Sequence, residues 1–156
     1  MQNPVYFEDL EIGQVLGSQR KTMTEAEIIE FAWQYDPQPF HISVPDAEES
    51  HFGGVISSGF QTLAVSFRLA WQANGLQATN LGAGTIDHLH WLKPVRPGDT
   101  LRVEMEVLEK RESRSKPDRG FVRFKYTTYN QHDEAVMTME CPQIVGRRDN
   151  ANGQCL

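Results

Sequence analysis

The chain is poor in cysteine, has no long apolar run and carries no excess of positive charge. Each shortage closes off a class of protein. Only two cysteines occur in 156 residues, Cys141 and Cys155. They show no metal-ligand spacing, and Cys155 falls in the polar end "NANGQCL", so no thiolate metal site or structural disulfide is expected. No stretch approaches the roughly 20 apolar residues that cross a bilayer. The opening "MQNPVYFEDL" lacks the basic segment and apolar run of a secretion signal. A cytoplasmic, reducing location is the resulting expectation. Lys and Arg number 15 against 21 Asp and Glu, and the net charge of −6 argues against nucleic-acid or anionic-membrane partners.

What remains is an ordinary globular composition, 39% hydrophobic and 23% charged. Its length suits one domain with a real core. Residues 1–148 are read as that domain, and 149–156 as a flexible tail. In "TEAEIIEFAWQYD", Thr24 and Glu27 have capping-box spacing, and Ile28, Phe31, Ala32 and Tyr35 recur at helical period. Pro37 and Pro39 end that helix, and a helix interior would not tolerate Pro39. "PDAEESHFGG" reads as a short helix closed by Gly53 and Gly54. The most apolar helix, "SSGFQTLAVSFRLAWQANG" over 57–75, shows apolar residues on more than one face and is expected to be nearly surrounded by protein. The second half changes period. Leu101, Val103, Met105 and Val107 alternate with polar residues, as do Val122, Phe124, Tyr126 and Thr128. One buried helix and about four antiparallel strands make an α+β architecture, a sheet wrapped around a central helix.

Within this frame "YDPQPFHIS" stands out. It holds Asp36 and His41 on a segment whose backbone is stiffened at two prolines. A carboxylate and an imidazole held together can share work on one water molecule. The plainer reading is that Asp36 caps the turn and His41 satisfies a backbone carbonyl. "FGGVISSGF" places glycines before the central helix and Gly59 in its first turn. Free N–H groups there, with the helix dipole, favour a negative oxygen; the plainer reading is a serine cap. His88 and His90 fall on one face of "DHLHW", with no third ligand at useful spacing, so a polar lining is preferred to a metal site. The basic loop "KRESRSKPDRG" offers Arg114, Lys116 and Arg119, read either as phosphate contacts or as a solvated hairpin tip.

Taken in order, "DPQPFH", "FGGVISSGF" and "LHWLKPVRPGDTLRVEMEVLE" resemble the MaoC-like dehydratases, the (R)-specific enoyl-CoA hydratases of the hot-dog fold. The resemblance runs over residues 5 to 147, and three motifs in sequence order are far more specific than any one. It implies an antiparallel sheet around a long helix. It also implies that Asp36 and His41 activate water for reversible addition to a trans-2-enoyl thioester, giving a (R)-3-hydroxyacyl-CoA without metal or redox cofactor. The Gly59 amide would bind the thioester oxygen, with Ser58, Phe40 and Phe67 nearby, and Arg114, Lys116 and Arg119 would meet the coenzyme A phosphates. Such proteins pair as homodimers or larger assemblies, which would cover the free strand edge and apolar flank of one copy. A thioesterase and a non-catalytic acyl-CoA-binding module are the alternatives on the same fold.

The sequence departs from the family pattern at three places. Gln38 stands where asparagine is usual, and Ser58 where histidine is usual. Phe67 takes the place of a serine on the central helix. Ser66 is its neighbour, but one residue turns a helix by about 100°. An aromatic at 67 is expected to shrink or reshape the acyl tunnel.

Overall fold

Thr24 opens the first helix as its spacing requires. Its hydroxyl accepts from the Glu27 amide at 3.3 Å, while the Glu27 carboxylate accepts from the Thr24 amide at 3.3 Å. Helix α1 (Glu25–Tyr35) follows, burying Ile28 and Ala32. Two short helices, α2 (Pro39–Ile42) and α3 (Val44–Glu49), lead to the long helix α4 (Gly59–Ala73). The computed structural model describes residues 3–148, and the expected tail, with Cys155, lies outside the described residues.

The sheet is antiparallel and has seven strands. Three long ones form its centre: β5 (Thr100–Glu112), β6 (Arg119–Tyr129) and β7 (Ala135–Gly146). Two short strands, β1 (Val15–Gly17) and β2 (Lys21–Thr22), pair with β5, and β3 (Asn80–Ala83) and β4 (Asp87–Trp91) pair with β7 at the other edge. The alternation read from sequence is the packing. Leu101, Val103, Met105 and Val107 on β5 and Val122, Phe124, Tyr126 and Thr128 on β6 are all buried. The four strands counted after the buried helix are β4 to β7; the count leaves out β3, which at four residues is too short to display a period of two.

Helix α4 packs Leu69, Ala70 and Trp71 into this core and ties itself to α1 through Gln61, whose side-chain amide donates to the Glu27 carbonyl at 3.0 Å. It is less enclosed than its composition suggests. Phe60, Ala64, Arg68 and Gln72, four residues apart, form an exposed stripe. The helix ends at Gly75, whose φ is +67° and where a Cβ would lie 2.4 Å from the Asn3 carbonyl oxygen, so only glycine fits. On β4 a bulge falls between Asp87 and His90, and His88 has φ 51°. Across the bulge His88 and His90 are both exposed, while Asp87 and Leu89 are partly buried, as the alternation read from sequence has them.

Candidate active site

Helix α1 stops at Tyr35, with Asp36 as its C-cap at φ −154° and ψ 66°. Pro37 enforces the stop. Pro39, contrary to expectation, is helical: it takes the first position of α2, where its missing N–H has no intrahelical partner to lose. That short turn carries His41 back towards Asp36. His41 is only 4% exposed, and its Nδ1 lies 2.7 Å from the Ile56 carbonyl oxygen. A carbonyl only accepts, so Nδ1 carries the hydrogen and Nε2 is left facing Asp36 Oδ2 at 3.4 Å. Both plain readings of the sequence are thus realised, Asp36 as a cap and His41 on a carbonyl. The second of them is what aims the other ring nitrogen.

Asp36 is held from three sides. The Ser58 hydroxyl donates to Oδ2 at 2.6 Å, and the Gln38 amide donates to Oδ1 at 2.8 Å. Burial alone would raise the carboxyl pKa, but these two hydrogen bonds, with His41 beside it, outweigh burial and hold it below the ordinary carboxylate value. Ser58 serves twice, because its oxygen also accepts from the Phe60 amide at 3.2 Å and so caps α4. Both departures from the family pattern in this loop therefore act on the same carboxylate.

The pair opens into a cleft of about 460 Å³. Phe40, Phe52, Ile56, Phe60, Trp91 and Leu92 give it apolar walls; Gln38, Thr62 and Lys93 join Asp36 and His41 as its polar lining. Gly59 lies in the wall, and its N–H has no acceptor among the described residues. At the first turn of a 15-residue helix that amide can meet a polarised carbonyl oxygen.

Of the residues singled out from sequence, Asp36, His41, Gly59 and Phe40 meet at the cleft, and Ser58 reaches it through Asp36. Phe67 stands apart. It is partly buried against the core, stacked on Tyr126 at 5.4 Å and on Trp71 at 6.3 Å between ring centroids. Ser66 is turned to the sheet, where its hydroxyl meets Thr128 at 2.7 Å and the Thr62 carbonyl at 2.7 Å. Arg114, Lys116 and Arg119 sit at the β5–β6 hairpin, about 40 Å along β5 from its cleft-side start at roughly 3.3 Å per residue. Arg119 is forked onto Asp118 by two bonds of 2.7 Å. Reasoning from sequence missed Phe52, Trp91 and Lys93. Trp91 and Lys93 lie inside the quoted "LHWLKPV" motif, which was the available signal.

Among the described residues no three His, Cys, Asp or Glu side chains lie close enough to hold a metal ion. No described helix is long and apolar enough to cross a membrane.

Comparison with known proteins places the chain. The MaoC like domain family matches residues 8–130. The chain is 35% identical to YdeM, an uncharacterized protein of Bacillus subtilis, over 142 residues that cover 90% of this chain and 99% of the relative. It is 30% identical over 152 residues to the 3-hydroxybutyryl-CoA dehydratase of Methylorubrum extorquens, covering 95% and 88% of the two chains. The crystal structure of a MaoC-like dehydratase from Rhodospirillum rubrum matches with a TM-score of 0.86 at 39% identity, covering 92% of this chain and 98% of that one.

Proposed function

This chain belongs to the MaoC-like dehydratase family of hot-dog proteins, and from that premise we propose that it adds water reversibly across a trans-2-enoyl-CoA to give a (R)-3-hydroxyacyl-CoA. One observation carries the reading. The His41–Ile56 bond turns Nε2 towards Asp36 inside an apolar cleft, beside a helix-start amide with no acceptor. Two acceptors at that spacing hold the hydrogens of one water and leave its lone pair free for C3 of the substrate. Asp36, with donors on both oxygens, is the weaker base, so Nε2 takes the proton as the C3–O bond forms. The electron pair of the C2–C3 double bond moves towards the thioester oxygen, which the Gly59 amide steadies. The imidazolium, stabilised by Asp36, then returns the proton to C2, and atoms and charge balance. The kinship with a 3-hydroxybutyryl-CoA dehydratase supports a coenzyme A thioester as substrate.

At the mouth, Lys93 and Arg96 are nearer to a bound thioester than the hairpin cations. Lys93 lines the cleft, and Arg96 donates to the carbonyl of Phe52 at 2.6 Å. Arg114, Lys116 and Arg119 would reach coenzyme A only from another copy. A homodimer is part of this proposal, because Leu81, Ile86, Trp91 and Leu92 are exposed along the β3–β4 edge and Phe60 beside it.

The test is a screen of enoyl-CoA thioesters, short to long and including branched and aromatic acyl groups, followed by loss of enoyl absorbance. Release of free thiol instead would identify a thioesterase. Binding without either change would leave an acyl-CoA-binding module.

A further inference from the structure

Gly59 does not have the positive φ that would by itself demand glycine. Its need for glycine comes from outside the helix. A Cβ at residue 59 would lie 2.6 Å from Cε2, 2.8 Å from Nε1 and 2.9 Å from Cζ2 of Trp91. The indole therefore rests on the bare Cα, and its Nε1–H donates to the Gly59 carbonyl at 2.9 Å. The backbone that carries the indole is fixed, since Trp91 ends β4 paired with Met137 on β7. Four residues on, the same segment holds the helix entry a second time, as the Val95 carbonyl accepts from the Ser57 amide at 2.7 Å. Phe60 meets the indole edge-on at 6.3 Å.

We infer that Trp91 is the positioning residue for the oxyanion-binding amide, a latch that fixes the first turn of α4 so that the Gly59 N–H stays aimed into the cleft. The two peptide planes that meet at Gly59 Cα are held by different partners. The plane carrying its N–H is fixed through the Ser58 carbonyl, which accepts from the Thr62 amide at 3.0 Å. The plane carrying its C=O belongs to the hydrogen-bond ladder of α4 and is held a second time by Trp91 Nε1. A glycine at the first position of a helix has the widest choice of backbone states and frays most readily. The latch removes that freedom before substrate arrives, which is what a preorganised donor requires. It acts on charge developing in the transition state more than on ground-state binding. The inference rests on the proposed hydration for its kinetic consequence, but not for its structural one.

The test replaces Trp91 by Phe, which keeps a ring against Gly59 and deletes the N–H. On the best enoyl-CoA, kcat is expected to fall by about 10- to 100-fold while KM moves less than about threefold, less than the 10²- to 10³-fold cost of losing an oxyanion donor outright. A purely structural tryptophan would lower the melting temperature and leave kcat of the folded fraction intact; that result overturns the latch. A second measurement needs no turnover. Exchange of the Phe60 and Thr62 amides, both bonded to Ser58, should quicken about tenfold in the variant while core-strand amides hold. Unchanged exchange overturns the inference. If the wild type hydrates no enoyl-CoA, the functional reading fails and exchange alone decides the latch. Gly59→Ala supplies the reciprocal check. It should destabilise the wild type and be largely tolerated alongside Trp91→Leu; equal damage in both backgrounds would also refute the coupling.

Discussion

Replacing Ser58 by Ala removes one oxygen and two hydrogen bonds whose worth differs with pH. The bond to Asp36, 2.6 Å long and ending on a carboxylate 15% exposed, is charge-assisted and contributes about 1.5–3 kcal/mol. The bond from the Phe60 amide is a helix cap and contributes about 1 kcal/mol. The variant should therefore lose about 3 kcal/mol in urea unfolding at neutral pH. The carboxyl of Asp36 lies below its ordinary value in the folded protein, so its contribution is present above the unfolded pKa and is lost as pH falls through the folded one. Losing Ser58 leaves burial less opposed and moves that folded pKa up. The stability gap between the two proteins should accordingly narrow below about pH 4, towards the cap's share alone. Titration of the Asp36 carboxyl by carbon NMR, in wild type and variant, reads the same shift directly. An unmoved midpoint, with an equal stability loss at both ends of the pH range, would show that Ser58 acts only as a cap.

Asp36→Asn and His41→Ala should each lower hydration by about 10²- to 10⁴-fold with circular dichroism unchanged; near-normal turnover in either would return the pair to a structural role. Phe67→Ser should cost about 3–5 kcal/mol, since the ring stacks on Tyr126 and Trp71, while acyl-length preference in the folded sample stays as it was. A shift towards longer chains would instead place Phe67 at the end of an acyl tunnel. Leu81→Lys with Ile86→Glu, on the exposed β3–β4 edge, should convert a sedimenting dimer to monomer; an unchanged sedimentation coefficient would move the interface elsewhere.

The architecture was legible because it rests on long periodic signals. Helix α4 and the strands β5 to β7 each run for 11 to 15 residues, enough for the 3.6- and 2-residue periods to declare themselves. Short strands and bulges carry no such period. The bulge at His88 was invisible for that reason. Proline was over-read in the opposite direction. Pro39 breaks a helix interior, but it also starts one well, and the turn it starts is the one that delivers His41.

Within the site, local spacing revealed Asp36 and His41, because the chain itself holds them within one stiff loop. The residues that condition them come from elsewhere in the sequence. Ser58 is 22 residues from Asp36, and Trp91 is 32 from Gly59. No period or motif spacing encodes such a contact, since only the closed sheet brings β4 against the start of α4. The hairpin cations show the same limit from the other side: a basic loop reads as a phosphate site, and only the fold shows that strand length sets it apart from the cleft of its own copy. The glycine at 59 makes the point most sharply. In sequence it reads as an amide offered at a helix start, whereas in the folded chain its bare Cα also makes room for the indole of Trp91.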